Sequence, residues 1–178
     1  ELFEELAAEH KFDGLFNNVG LVNPAPLEEI TLDDFDACVD LNLRCSLQAT
    51  QAVGPYMKER GSGRILFTSS MVVAGVPFRT SYAAAKAGVE QLTRALALEW
   101  ARYGIRVNAL APGYIETDLN RDFFASEPGQ KMIRRIPQRR LGQADDLSGP
   151  LLLLASGLSD YMTGSTLVVD GGHLQSSL

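Results

Sequence analysis

The sequence predicts an α/β fold of the Rossmann type: an open, doubly wound parallel sheet with helices on both faces. Three observations predict it. Short apolar runs alternate along the chain with longer helical segments, and connections of that length join parallel strands through right-handed crossovers. The apolar runs end in turn formers, at Asn17-Asn18-Val19-Gly20, Ser69-Ser70, Pro112-Gly113 and Asp170-Gly171-Gly172. The 178 residues are 46% hydrophobic and 21% charged, a balance and a length that suit one domain with a sizeable core.

The elements follow in order. Glu1 to Lys11 reads as an amphipathic helix with Leu2, Phe3 and Leu6 on one face. Phe12 to Phe16 is a short strand, and the loop Asn23-Pro24-Ala25-Pro26 comes after its turn. Thr31 suits a helix N-cap, with Asp33, Asp34 and Asp36 near the positive end of the helix dipole. That helix runs to about Arg60, where Gly61-Ser62-Gly63 breaks it. Arg64 to Thr68 is the next strand. A long helix covers about Thr80 to Tyr103, with Val89, Leu92, Leu96 and Trp100 at three- and four-residue steps and Gly104 placed to end it. Ile105 to Leu110 is a third strand. Glu116 to Arg140 is a long irregular stretch with short helices, Asp145 to Ala155 a last helix and Ser165 to Val169 a last strand. Ligands of such sheets bind beyond the carboxyl ends of the strands. The loops after Phe16, Thr68 and Leu110 are therefore expected to converge on one crevice.

Composition narrows the partners. A net charge of −6 argues against nucleic acid and against an anionic membrane surface, both of which need clustered Lys and Arg. No apolar run approaches the roughly 20 residues of a membrane helix. Cys38 and Cys45 fall on one expected helix, two turns or about 10 Å apart, too far for a disulfide. They have no metal-ligand spacing. Two reduced cysteines and no signal-peptide pattern lead to the expectation of a cytoplasmic protein. A serine hydrolase is disfavoured, because Ser69 and Ser70 lack a Gly-x-Ser-x-Gly elbow and both histidines, His10 and His173, lie near the chain ends.

Tyr82-Ala83-Ala84-Ala85-Lys86 is the sharpest chemical signal. Positions i and i+4 share a helix face, so the phenol and the ammonium can approach each other. A free tyrosine is a poor base at neutral pH. A cation at about 4 Å favours the phenolate by of order 4 kcal/mol, up to about three pKa units, and brings the group into range for proton transfer.

Six motifs in order resemble the short-chain dehydrogenase/reductase family: Asn17-Asn18-Val19-Gly20; Asn42 within Asp40-Leu41-Asn42-Leu43; Gly63 to Ser70; Tyr82 with Lys86; Arg106 to Gly113; and Thr163-Gly164 with Asp170-Gly171-Gly172. The resemblance spans essentially the whole chain and is greatest to the group that includes 3-oxoacyl-(acyl-carrier-protein) reductases. It implies hydride transfer between NAD or NADP and a carbonyl or alcohol substrate. Tyr82 would exchange a proton with the substrate oxygen. Lys86 would lower the Tyr82 pKa and hold the nicotinamide ribose. A serine would orient the carbonyl. Counting forward from Gly63 puts it at Ser70, and counting back from Tyr82 by the commonest loop length puts it at Ser69. The strand end is the more rigid reference and favours Ser70. Asn42 would sit at a helical kink and hold a water that links the lysine to solvent.

By the same resemblance Asn18, Val19 and Gly20 would lie along the adenosine ribose, with Val19 replacing a smaller Ala. Pro112 and Gly113 would let the backbone pass the nicotinamide. Ile115 and Thr117 would meet the carboxamide and phosphate portions, and Glu116 to Arg140 would form the variable substrate lid. Pairing of the long helices would give a homodimer or homotetramer. A catalytically silent binding or scaffold protein of the same fold is the alternative.

The family's first motif, a Gly-rich turn that seats the pyrophosphate on a helix N-terminus, does not occur here; Gly61-Ser62-Gly63 ends a helix and precedes a strand. Residues 1–178 are thus expected to be a partial Rossmann domain, its C-terminal two thirds, with impaired cofactor binding and its first strand at an unpaired edge. The residue that would choose NAD or NADP follows a strand outside this sequence.

Overall fold

The structure is a computed structural model, and it describes residues 5–6 and 9–176. The amphipathic helix expected over Glu1 to Lys11 lies largely outside the described residues. Four strands, β1 (Gly14–Asn17), β2 (Gly63–Thr68), β3 (Ile105–Pro112) and β4 (Thr166–Val169), form one sheet in chain order, and every neighbouring pair is parallel. Register runs Asn17 to Phe67, Phe67 to Ala109 and Ala109 to Thr166. Within the described sheet β1 pairs with β2 alone. The strand lies two residues later than the Phe12 start read from the sequence.

The main core lies between the sheet and two helices, α2 (Cys45–Arg60) and α3 (Thr80–Trp100). Ile65 and Phe67 of β2 and Ile105, Val107 and Ala109 of β3 meet Val53 and Met57 of α2 and Val89, Leu96 and Trp100 of α3. Alternate strand residues face the other side, where α6 (Ser148–Ala155) covers the sheet. There the Arg106 guanidinium donates to the carbonyls of Ser156 and Ser159 just past the helix end. Helices therefore cover both faces, the doubly wound arrangement that the alternation predicts.

The helix expected from Thr31 to Arg60 is one rod with an internal change of pitch. It begins as α1 (Leu32–Val39), where Thr31 caps it: the Asp34 N–H donates to the Thr31 hydroxyl oxygen, and the Asp34 carboxylate accepts from the Thr31 N–H. A π-helical turn, Asp40–Arg44, follows and holds Asn42, and α2 continues to Gly61. Single π turns of this kind recur at functional sites. Gly61 and Gly104 end α2 and the turn after α3 in the left-handed conformation, at φ 67° and 70°. Cys38 is buried and Cys45 exposed, both as free thiols. Between β3 and α6 the chain forms two short helices, α4 (Arg121–Ala125) and α5 (Glu127–Ile133), around a small second core of Phe124, Ile136 and Leu141.

Candidate active site

The carboxyl ends of β1, β2 and β3 bring their three loops to one side of the sheet, and the N-terminal half of α3 lies across them. Lys86 projects from α3 to the end of β2, where its Nζ donates to the Thr68 carbonyl at 2.7 Å. The same nitrogen lies 5.5 Å from the centroid of the Tyr82 ring. The helical i, i+4 spacing therefore does place phenol and ammonium on one face. Lys86 is 2% exposed, and burial of the ammonium lowers its pKa from 10.5 to about 8.

The Tyr82 phenol does not follow the direction expected from the sequence. Its pKa is raised above 10, chiefly by burial; a hydrogen bond from the Ser70 hydroxyl pulls it down and nearby Cys38 pushes it up. The reason is geometric: the lysine aims its ammonium at the Thr68 carbonyl, while the phenol stands in a poorly solvated site. A half-buried phenol is harder to ionise than a solvated one.

Ser70 and Ser69 have different partners. The Ser70 hydroxyl faces Tyr82 and also accepts from the Val72 N–H at 3.4 Å, capping the turn Met71–Ala74. Ser69 is 1% exposed and donates to Glu90 Oε1 at 2.9 Å. Glu90 was not singled out by sequence, although its place eight residues after Tyr82 and four after Lys86 puts it on the same helical stripe.

Asn42 is fully buried rather than solvated. Its amide nitrogen donates to the carbonyls of Leu21 and Cys38, both at 2.8 Å, and its Oδ1 accepts from the Leu21 N–H at 3.3 Å. This grip ties the loop after β1 to the π turn. Gly20 completes the junction: a Cβ there would fall 3.2 Å from Asn42 Oδ1 and 3.7 Å from Lys86 Nζ. Asn18 Oδ1 accepts from the Thr68 hydroxyl at 2.8 Å, which joins the first loop to the second. Val19 and Gly20 are exposed along the cleft rim.

The third loop leaves β3 at Pro112-Gly113. Gly113 has to be small, because a Cβ would meet Asp170 Cα at 2.7 Å. The Gly113 N–H donates to the Val169 carbonyl. Ile115 forms an isolated bridge to Gly142, and Thr117 is exposed, with its N–H donating to Asn120 Oδ1 at 2.9 Å. A cavity of about 340 Å³ opens beneath Tyr114 and Ile115, toward Arg140, Asp146 and Gly171. Ser70, Tyr82 and Lys86 are not among its lining residues.

Comparison with known proteins bears on what such a site belongs to. Residues 1–173 match the family model described as enoyl-(acyl carrier protein) reductase. The chain belongs to the short-chain dehydrogenase/reductase family. It is 42% identical over 170 residues to 2-dehydro-3-deoxy-D-gluconate 5-dehydrogenase of Pseudoalteromonas atlantica, covering 92% of this chain and 65% of that protein. It is 38% identical over 174 residues to the 3-oxoacyl-(acyl-carrier-protein) reductase of Thermotoga maritima, covering 97% of this chain and 70% of that protein. The chain thus spans about two thirds of the length of these curated relatives. The crystal structure of a gluconate 5-dehydrogenase from Burkholderia cenocepacia, in complex with NADP and tartrate, superposes with a TM-score of 0.90 at 38% identity, covering 98% of this chain and 71% of that one. Among the described residues of this short-chain dehydrogenase/reductase, no helix is long and apolar enough to cross a membrane.

Proposed function

We propose that this chain carries the proton-transfer centre of an NAD(P)-dependent carbonyl reductase or alcohol dehydrogenase, with Ser70, Tyr82, Lys86 and Asn42 as its working residues. The observation that carries the reading is the gathering of three groups at the mouth of the sheet: Ser70 beside the Tyr82 phenol, and the Lys86 ammonium 5.5 Å from the centroid of the same ring.

The residues present suit the nicotinamide half of a dinucleotide. Gly20 and Gly113 leave room where a Cβ would crowd Asn42 Oδ1 or Asp170, and Val19 and Thr117 are open to solvent on either side of the cleft. Lys86 and Tyr82 would hold the ribose hydroxyls, Pro112, Gly113, Ile115 and Thr117 the nicotinamide end, and Asn18, Val19 and Gly20 the rim toward the adenosine. A Gly-rich pyrophosphate turn is not in this sequence, so the 178 residues alone would bind dinucleotide weakly. The cofactor, when bound, supplies or accepts the hydride.

In the reducing direction the substrate carbonyl oxygen sits between the Ser70 hydroxyl and the Tyr82 phenol. Ser70 donates a hydrogen bond that orients and polarises it. As the carbonyl carbon takes the hydride, its oxygen takes the phenolic proton. The resulting phenolate would lie on the helix face it shares with the Lys86 ammonium, while the one Ser70 proton stays on the substrate oxygen. The raised pKa of Tyr82 suits this direction, since the phenol enters the step still protonated. Oxidation of an alcohol runs the same transfers in reverse. Asn42 Oδ1 has a second lone pair beyond its bond to Leu21, which would hold a water near Lys86 for proton return.

The relatives act on keto sugar acids and on 3-oxoacyl thioesters, by their names, and these two classes are the substrates to try first. Leu98, 86% exposed on α3, is consistent with pairing of the long helices in a homodimer or homotetramer. The test is oxidation of NADPH or NADH by the full-length protein with ketones, keto sugar acids and 3-oxoacyl thioesters. Turnover is expected in the parent and its loss, by roughly 100-fold or more, in Tyr82→Phe with folding intact. An unaffected Tyr82→Phe defeats the proposal, and cofactor binding without turnover in the parent marks a silent binding protein instead.

A further inference from the structure

The stripe of α3 that bears Tyr82 and Lys86 continues one turn to Glu90, and each of the three side chains takes hold of a different residue at the end of β2. Tyr82 meets the Ser70 hydroxyl. Lys86 donates to the Thr68 carbonyl at 2.7 Å. Glu90 Oε1 accepts from the Ser69 hydroxyl at 2.9 Å. The second carboxylate oxygen of Glu90 accepts from Arg94 at 3.1 Å, and the Glu90 side chain is 13% exposed. Its orientation is thereby fixed from both ends. Ser69 is fixed as well: its N–H donates to the Leu110 carbonyl at 2.8 Å, and its hydroxyl, with one proton to give, spends it on Glu90.

We propose that Glu90 is a positioning residue for the Ser70–Tyr82 pair. By holding Ser69, it sets the direction in which the chain leaves β2, and so the aim of the Ser70 hydroxyl at the phenol. Glu90 touches neither the phenol nor any reacting atom; it acts through Ser69. The consequence for turnover rests on the carbonyl chemistry proposed above, but the positioning itself is read without turnover.

The experiment is ultraviolet titration of the Tyr82 phenol in the 178-residue chain, isolated from the other four tyrosines by subtracting the matching Tyr82→Phe protein, with circular dichroism at each pH. Two effects of Glu90 have opposite signs. Removing its negative charge alone eases ionisation and lowers the Tyr82 midpoint. Losing the aim of Ser70 removes a hydrogen bond that favours the phenolate and raises it. Glu90→Gln removes the charge and keeps an acceptor for Ser69, so its midpoint is expected at or below the parent value. Glu90→Ala removes both and is expected to lie above the parent by about half to one pKa unit. Ser69→Ala, which keeps the charge, should move in the same direction as Glu90→Ala. Ser70→Ala sets the upper limit.

Midpoints at or below the parent in Glu90→Ala, or an unmoved midpoint in Ser69→Ala, overturn the proposal. If Glu90→Ala loses its fold, Ser69→Ala decides alone. Titration shifts in a protein that proves inactive would uphold the positioning and defeat the reductase; activity lost in Tyr82→Phe without the shifts would do the reverse.

Discussion

Replacing Lys86 by Met removes a buried ammonium while keeping most of the side chain's bulk. The pKa of Lys86 is lowered from 10.5 to about 8 by desolvation. A base whose folded pKa lies below its unfolded one binds fewer protons folded than unfolded between those values. Its cost to stability is therefore full below about pH 8 and is relieved as pH rises toward 10.5. The full cost is about 3 kcal/mol at pH 7 and falls to about 1 kcal/mol at pH 9.5. Lys86→Met escapes it, but leaves the Thr68 carbonyl without its 2.7 Å donor, a loss of about 1–3 kcal/mol that does not depend on pH. The net change at neutral pH is thus small, and the informative quantity is the change with pH. Urea unfolding of parent and variant at pH 7 and 9.5 should show the parent gaining about 2 kcal/mol on the variant over that interval. An interval of zero, or a gain by the variant, would refute a lysine held against its own desolvation.

Three further outcomes are expected. Gly54→Ala should lower stability by about 1–3 kcal/mol, because the new Cβ would run into the Trp100 ring where α2 packs on α3; chemical unfolding followed by fluorescence of Trp100, the single tryptophan, reads it. Asn42→Ala should cost about 2 kcal/mol or more, since three backbone groups, the Leu21 N–H and the Leu21 and Cys38 carbonyls, lose their Asn42 side-chain partner, and amide exchange at Leu21 should quicken. Asp146, whose pKa Arg140 and the Gln143 N–H lower to about 2, should titrate there by carboxyl NMR and move toward its ordinary 3.8 in Arg140→Gln. The pair's contribution is complete above pH 3.8 and is lost as pH falls through about 2, so the segment Arg140 to Asp146 should keep its arrangement in moderately acidic solution.

Much of the architecture could be read directly because its causes are local. The Thr31 cap, the left-handed glycines at 61 and 104 and the apolar stripe of α3 depend on residues a few places apart. The shared face of Tyr82 and Lys86 follows from helix pitch alone. Strand limits were less legible: β1 begins at Gly14 rather than Phe12, because pairing with Arg64 to Phe67, not apolarity, defines where it starts.

The site chemistry depended on neighbours distant in sequence. Two adjacent hydroxyls, Ser69 and Ser70, are equivalent as residue types; what distinguishes them is the helix that returns across the strand end, which sets Glu90 against the first and Tyr82 beside the second. Asn42 stands out in sequence by resemblance alone; its contacts do not, because Leu21, 21 positions away, uses both its donor and its acceptor. The titration of Tyr82 is the sharpest division. Sequence alone established that an ammonium lies one turn from the phenol, which favours ionisation. Only the tertiary structure decided that the phenol is desolvated and the ammonium turned to the Thr68 carbonyl, because the free energy of a charge is set by everything packed around it.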